Sequence, residues 1–463
     1  MIDARQDALH LVILGAAVFV LLSIAIVLNL PSSLADFHAM YFPAYTLLHQ
    51  HDPFDKGENM RIYREDGESC APQLWENTQE ATVNVYPPST LLLVAPLTLL
   101  PVKVADAVWT ILGFVTVVLA SFLIWGLSAD FSPTLTGGLL ALLLLSSVLV
   151  ALTGNVAGIA TGLAAIAVWC FVRGRFLFFG VLSLGFALAL KPHDTGFVWL
   201  ALVLAGSAAL RRRAWQSFLA SVVLSLPGIL WTWMLAPHWI AEWRTNLAIY
   251  SARGGINDPG LASAGGHGLD SILSLQAVFS VIDDDPHFYN TAAVLVCLTL
   301  LLLWIGSFWR KPRTPERLWL ALASLAPLSL LPIYHRQADA IVLLLAIPGC
   351  AMILSEGGWM GRASVAVSTA AFALTGFSWA GFGPVLKWLT PRALASTRGW
   401  SLLVEVFRAP LVLLLMTGFF LWCSMRRDQG RKLLPSPDGG SLGTRGAGSV
   451  PEDECFLRSV QSR

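Results

Sequence analysis

The sequence predicts an all-α, polytopic membrane protein, and three observations carry that prediction. Hydrophobic residues fill 56% of the 463 positions and charged residues only 13%, spread along the chain and not gathered into one core. Runs of about 20 mostly apolar residues, enough for a helix to cross a hydrocarbon layer roughly 30 Å thick, recur about a dozen times. The connections between those runs sort by charge, as the loops of membrane proteins do.

Taken in order, the predicted spans are residues 9–30, 102–127, 134–152, 156–172, 176–190, 195–210, 215–235, 291–309, 317–333, 338–354, 363–382 and 402–423. The first begins near a single Arg5 and lacks a small-residue cleavage site, so it reads as a retained anchor and not a signal peptide. Residues 88–100 are too short to cross and are broken by Pro96 and Pro101, which predicts a segment that dips into one leaflet. Phe37, Met40, Tyr41, Ala44, Tyr45 and Leu48 recur at near-helical spacing. They predict an outer-face amphipathic helix lying along the interface. Asp36 stands where it could cap that helix. From Asp428 the composition turns to Gly, Ser, Pro and charge, so 428–463 is expected to be a disordered tail. The membrane domain then covers 1–427, with large outer loops at 31–101 and 236–289.

Arg173/Arg175, Arg211–Arg213, Arg310/Lys311/Arg313 and Arg426/Arg427 lie in short connections or at the last exit, which places these on the cytoplasmic side. The stretch 31–85 holds nine acids against Lys56, Arg61 and Arg64, and belongs outside. Both termini are then cytoplasmic. Cys170, Cys297, Cys350 and Cys423 fall in or beside spans, where a thiol acts as a small apolar group. Cys70 stands alone outside, and Cys455 lies in the tail. A net charge of +1 without a clustered basic face argues against nucleic acid. The HExxH, CxxC and P-loop patterns are missing. Asp283–Asp285 reads as a solvated turn before Pro286, His267 as a loop residue, and no convincing metal-ligand set stands out.

With sidedness assigned from the basic loops, the unusual polar residues gather on the outer face: Asp36, Tyr86, Gly154-Asn155, Lys191-Pro192-His193-Asp194 and Tyr334-His335-Arg336. A carboxylate where a bilayer begins is costly unless something uses it. The span before Lys191 would rise only about 22 Å as a helix. The ammonium therefore sits below the surface, and Pro192 interrupts the helix there. Lys191 can be a snorkelling helix-end lysine or, with His193, His335 and Arg336, part of an anion site. His335-Arg336 can equally be an interfacial anchor, and Gly154-Asn155 a tight helix hairpin.

Asp36-Phe37 with Tyr41 and Ala44, then Asp52-Pro53-Phe54, Tyr86-Pro87-Pro88 with Pro96 and Pro101, Gly154-Asn155, Leu190-Lys191-Pro192, and Tyr334-His335-Arg336 with Asp339 together resemble glycosyltransferase family 87. That family belongs to the GT-C superfamily and is similar to the polyprenyl-phosphate-mannose-dependent mannosyltransferases. The resemblance runs from Asp36 to about Pro348. It implies a GT-C-type helical bundle that transfers a hexose, mannose in the similar enzymes, from a polyprenyl-phosphate donor to a lipid- or glycan-linked acceptor hydroxyl on the periplasmic face of the cytoplasmic membrane. It also implies Asp36 as the base, and needs no cofactor. Two departures stand out: the family often has Gly-Gln at Gly154-Asn155, and Asp194 after Lys191-Pro192-His193 is unexpected.

The residues suit that chemistry. A lipid phosphate leaves readily if its charge is stabilised, which Lys191, His193, His335 and Arg336 could do. A sugar hydroxyl needs a base, and Tyr41, Tyr86, Asn155 and Tyr334 would line the substrate cavity. Two other classes stay open. A secondary transporter would share the broken helices and buried charges but should show two similar halves. A flippase or ligase of lipid-linked glycans lies closer in chemistry.

Overall fold

The computed structural model describes residues 2–29, 34–67, 83–255, 257–261, 272–309, 313–376 and 408–433. The expectations for Cys70, His267, Cys455, Arg310, Lys311 and the tail beyond 433 fall outside these residues. Among the described residues the chain is helical throughout, with an isolated antiparallel bridge joining Ile272 to Arg336.

Eight of the described helices are long and apolar enough to cross a membrane: Ala4–Asn29, Val102–Ser128, Pro133–Thr153, Val156–Arg173, Ala208–Leu235, Pro286–Phe308, Gln337–Ser355 and Arg408–Arg427. Their exposed faces explain why the chain needs lipid. On the helix 208–235, Trp215, Leu219, Val223, Leu230 and Met234 lie open, and on 286–308 so do Val294, Leu295, Leu298 and Leu302. Apolar stripes of that extent would drive aggregation in water.

Three of the remaining predicted spans, 176–190, 195–210 and 317–333, are shorter than a full crossing, each because the sequence interrupts it, while residues 377–382 of the span 363–382 and 402–407 of the span 402–423 lie outside the described residues. In chain order, α1 is Ile2–Asn29, α2 Ala35–Leu48, α3 Lys56–Gly67 and α4 Pro88–Val94, continued by a short 3-10 helix Ala95–Leu99. Then α5 is Val102–Ser128, α6 Pro133–Ser146, α7 Val148–Thr153 and α8 Val156–Arg173. Next, α9 (Leu177–Leu190) has 14 residues and ends where Pro192 removes a donor, and α10 (Pro192–Leu204) has 13. The chain breaks again before α11 (Ala208–Leu235), whose cap is the Ser207 hydroxyl accepting from Leu210 N. Leu210 therefore belongs to α11 and not to the predicted span 195–210.

After α12 (Trp239–Tyr250), α13 (Leu275–Ser280) and α14 (Pro286–Phe308) comes α15 (Pro315–Ser329), 15 residues with Pro327 in its last turn. The predicted span 338–354 begins as a ten-residue 3-10 helix, Gln337–Ala346, and becomes α16 (Ile347–Ser355) at Pro348. Such a long 3-10 run is unusual and marks a segment held by its surroundings. α17 is Gly358–Gly376 and α18 Arg408–Leu433. The helix runs six residues past the point where the tail was expected to begin.

Two apolar clusters organise the interior. The larger is built from α5, α6, α8–α10, α15, the 337–355 segment and α18. The smaller lies beneath α2, where Phe37, Met40, Tyr41, Leu91, Trp109, Val156 and Leu190 meet. This second cluster changes the reading of α2. Phe37, His38, Met40, Tyr41, Phe42, Pro43, Ala44, Thr46 and Leu47 are all buried, on every side of the helix. It is packed into the protein, where an amphipathic interfacial helix would keep one face open.

Helix direction places the polar residues at one end. Asn155 precedes α8 and Arg173 ends it; Lys191 ends α9 after Arg175 precedes it; Arg211–Arg213 begin α11. Asn155 and Lys191 thus share the end of the bundle opposite the arginines.

Candidate active site

The site is assembled where broken helices meet, and each break has a local cause. At Lys191 the missing Pro192 N–H ends α9, which leaves the carbonyls of Ala189 and Leu190 without their helical partners. Ser89 Oγ donates to Ala189 O at 2.8 Å and Thr90 Oγ1 to Leu190 O at 2.9 Å. The short α4 therefore exists to close the end of α9, and Tyr86-Pro87-Pro88 delivers it.

At the head of α8, Gly154 takes φ 66° and a Cβ there would meet Phe37 Cβ at 2.9 Å. Glycine is thus required both by conformation and by the close approach of α2. Trp109 Nε1 donates to Gly154 O at 2.8 Å and its ring stacks on Phe37 with centroids 4.8 Å apart. Asn155 then acts in two directions. Its Oδ1 accepts from Ala157 N at 2.8 Å, capping α8, and its Nδ2 donates to Asp36 Oδ2 at 2.8 Å.

Asp36 is the second residue of α2; the cap position belongs to Leu34, in the left-handed region at φ 67° without a side-chain cap. The expected capping role is therefore not the one its carboxylate plays. Burial pushes the Asp36 carboxyl above its ordinary value; hydrogen bonds from Asn155 and Thr153 and the charge of Arg336 pull against that rise, and the charge of Asp339 adds to it. A carboxylate made more basic in this way is better suited to take a proton near neutral pH. Tyr86 is held well above its ordinary value by burial first and by the charge of Asp36 second. It stays a neutral hydroxyl.

The basic residues form a second arm of the site. Lys191 Nζ pairs with Asp339 Oδ1 and lies 2.9 Å from Asp194 Oδ2. Asp194 Oδ1 is 3.0 Å from His335 Nε2, whose other ring nitrogen faces Ile333 O at 3.0 Å. Asp339 Oδ2 also accepts from Arg336 N at 2.9 Å. Lys191, Asp194, His335 and Asp339 are all nearly closed to solvent, while His193, 3.6 Å from Asp194 Oδ1, keeps 47% of its side chain exposed. Arg336 stacks over the Tyr334 ring at 5.7 Å and donates from Nε to its hydroxyl, which is in turn bonded to Asn257.

The sequence-predicted residues are thus brought together, with one exception in placement. Tyr41 is 3% exposed, donates to Leu100 O at 3.0 Å and packs edge-on against Phe37, inside the smaller core. Two acids carry more than the sequence reading gave them. Asp194, an oddity there, and Asp339, a motif member only, are the partners of Lys191. For Asp339 a local signal exists, since it falls three residues after Arg336 at the spacing of a helix-capping acid.

Fold and site define a polytopic helical membrane protein carrying an ionisable cluster at one end of an apolar bundle. The family model for glycosyltransferase family 87 matches residues 84–333, and the chain belongs to that family. It is a membrane glycosyltransferase. No curated protein and no solved structure matches it. The matched stretch contains Tyr86, Asn155, Lys191 and Asp194; Asp36 precedes it, and Tyr334–Arg336 follow it.

Proposed function

We propose that the protein transfers a hexose, mannose by resemblance, from a polyprenyl-phosphate donor to a lipid- or glycan-linked hydroxyl on the periplasmic face of the cytoplasmic membrane, inverting the anomeric centre. The observation that carries this reading is Asp36, a carboxylate of raised basicity held by Asn155 within reach of the Arg336 charge. Asp36 takes the proton as the acceptor oxygen attacks the anomeric carbon from the face opposite the phosphate. The bond from that carbon to the phosphate oxygen breaks, and the lipid phosphate leaves as an anion.

Arg336 is placed to meet that anion, with Tyr334 beneath its guanidinium and Tyr86 as a neutral donor. Lys191, His193 and His335 add to the basic wall, with Lys191 fixed by Asp194 and Asp339. The exposed apolar faces of α11 and α14 give a lipid donor a surface to lie along.

The test is Asp36→Asn. Asparagine keeps the size and can still accept the Asn155 hydrogen bond, so donor binding should persist while turnover of polyprenyl-phosphate mannose falls about 10²- to 10⁴-fold. Retention of more than about a tenth of the wild-type rate, above what that range allows, would remove Asp36 as the base.

A further inference from the structure

Within the Lys191–His335 arm, His193, Asp194 and His335 make an arrangement that a basic wall for a phosphate does not by itself call for. His335 Nδ1 faces the backbone carbonyl of Ile333 at 3.0 Å, so that nitrogen must carry a proton. In the neutral ring Nε2 then presents a lone pair, and it points at Asp194 Oδ1, a carboxylate oxygen 3.0 Å away. Between two such atoms stands either a second ring proton, which makes the contact an imidazolium–carboxylate pair, or a metal ion that takes the proton's place. His193 Nε2 lies 3.6 Å from the same oxygen, and the ligand atoms of the three residues all fall within 4.8 Å of one another.

We propose that His193 Nε2, Asp194 Oδ1 and His335 Nε2 form a binding site for a divalent transition-metal ion, zinc by preference. Three features support it. Bonds of about 2.0–2.1 Å to each ligand place neighbouring donors roughly 2.9–3.4 Å apart; Asp194 Oδ1 lies 3.0 Å from His335 Nε2 and 3.6 Å from His193 Nε2, and the half-exposed His193 ring would turn inward to close the remaining separation, which is within 4.8 Å. An Nδ1–H donating to a backbone carbonyl is the usual way a ligating histidine is oriented, and His335 has that partner. Two imidazoles and one carboxylate suit a borderline ion such as zinc better than magnesium or calcium.

His193 is the open edge through which an ion enters, its side chain 47% exposed, while Asp194 and His335 are each 1% exposed. Bound there, the ion keeps coordination positions on the His193 side for water or an anion. This last role rests on the phosphate-donor reading above; the binding itself does not.

The experiment is direct metal titration of the purified full-length chain in nanodiscs. After chelator treatment, Zn²⁺ and Mn²⁺ are added singly, with bound metal counted by elemental analysis and affinity by calorimetry. One equivalent of zinc is expected, with His193→Ala weakening it at least about 10-fold, the least that loss of a ligand should cost when outer-shell changes already cost 10- to 100-fold. His193 is half open, so this variant should fold, and an unchanged melting temperature without metal checks it. Asp36→Asn should bind zinc as the wild type does. Substoichiometric zinc in the wild type, or equal binding by His193→Ala, would overturn the site. A chain that transfers sugar but holds no zinc removes the site and leaves the function; a chain that holds zinc but transfers nothing from polyprenyl phosphate does the reverse.

Discussion

Asn155 shows how much one side chain can settle. Its Oδ1 caps α8 and its Nδ2 holds Asp36, so the start of a core helix and the orientation of the proposed base are fixed by the same amide. Asparagine is a strong helix cap, which gives a physical reason for this residue at the head of α8. Two effects should separate in Asn155→Ala. Loss of the cap should cost about 0.5–2 kcal/mol of stability. Loss of the hydrogen bond to the ionised carboxylate should raise the Asp36 pKa further, because that bond favours the charged form. As the proposed base, Asp36 would have to be ionised, and activity is then expected to fall as pH drops through its pKa. The acid limb of kcat/KM, which burial of Asp36 already shifts upward in the wild type, should move to still higher pH in the variant. An unmoved acid limb with a lowered melting temperature would leave Asn155 as a cap alone. At this scale the sequence was readable where charge stands out against an apolar background: Asp36, Lys191 and His335-Arg336. It was silent about pairing, since Lys191 meets Asp339 across 148 residues and His335 meets Asp194 across 141. For the same reason, no ligand spacing betrayed the His193, Asp194 and His335 cluster.

At the scale of elements, the breaks make the site. Pro192 frees two carbonyls at the end of α9, and α4 brings two hydroxyls to them; α11 closes over α4, where Gly228 lies against Pro88 O so tightly that a Cβ would sit 2.6 Å from it. Hydropathy locates apolar runs but not such interruptions, which explains why α9, α10 and α15 were read as full spans. The proline at 192 was visible, yet what the carbonyls left open by the helix break require from another part of the chain was not. Replacing Ser89 by Ala and Thr90 by Val leaves both carbonyls buried without a donor. Each should cost about 1–3 kcal/mol, read as a lowered unfolding midpoint in the same detergent. Sugar transfer should fall as well, because Lys191 directly follows the carbonyls that lose their anchor. Stability equal to wild type in the double variant would mean that another group satisfies α9 and that α4 is not its cap.

For the whole molecule the decisive property is sidedness. The eight long helices and the apolar faces of α11 and α14 establish a membrane protein, and helix direction sets Asn155 and Lys191 at the end opposite Arg211–Arg213. Which end meets the periplasm is a matter of the loop charges. Short basic connections stay in the cytoplasm because lysine- and arginine-rich segments resist translocation. The arginines at the start of α11 should therefore be cytoplasmic, which leaves the ionisable cluster facing the periplasm, where a polyprenyl-phosphate sugar would present its headgroup. Single cysteines at positions 193 and 212 in a cysteine-free background test this, since His193 is half open and Arg212 exposed. An impermeant maleimide added to intact spheroplasts should label His193→Cys and spare Arg212→Cys, and inverted vesicles should give the opposite pattern. Labelling of both positions from one side would contradict the bundle geometry. Labelling of Arg212→Cys alone in spheroplasts would keep the geometry but invert it, moving the transfer to the cytoplasmic face and favouring a soluble nucleotide-activated donor over a lipid-phosphate one.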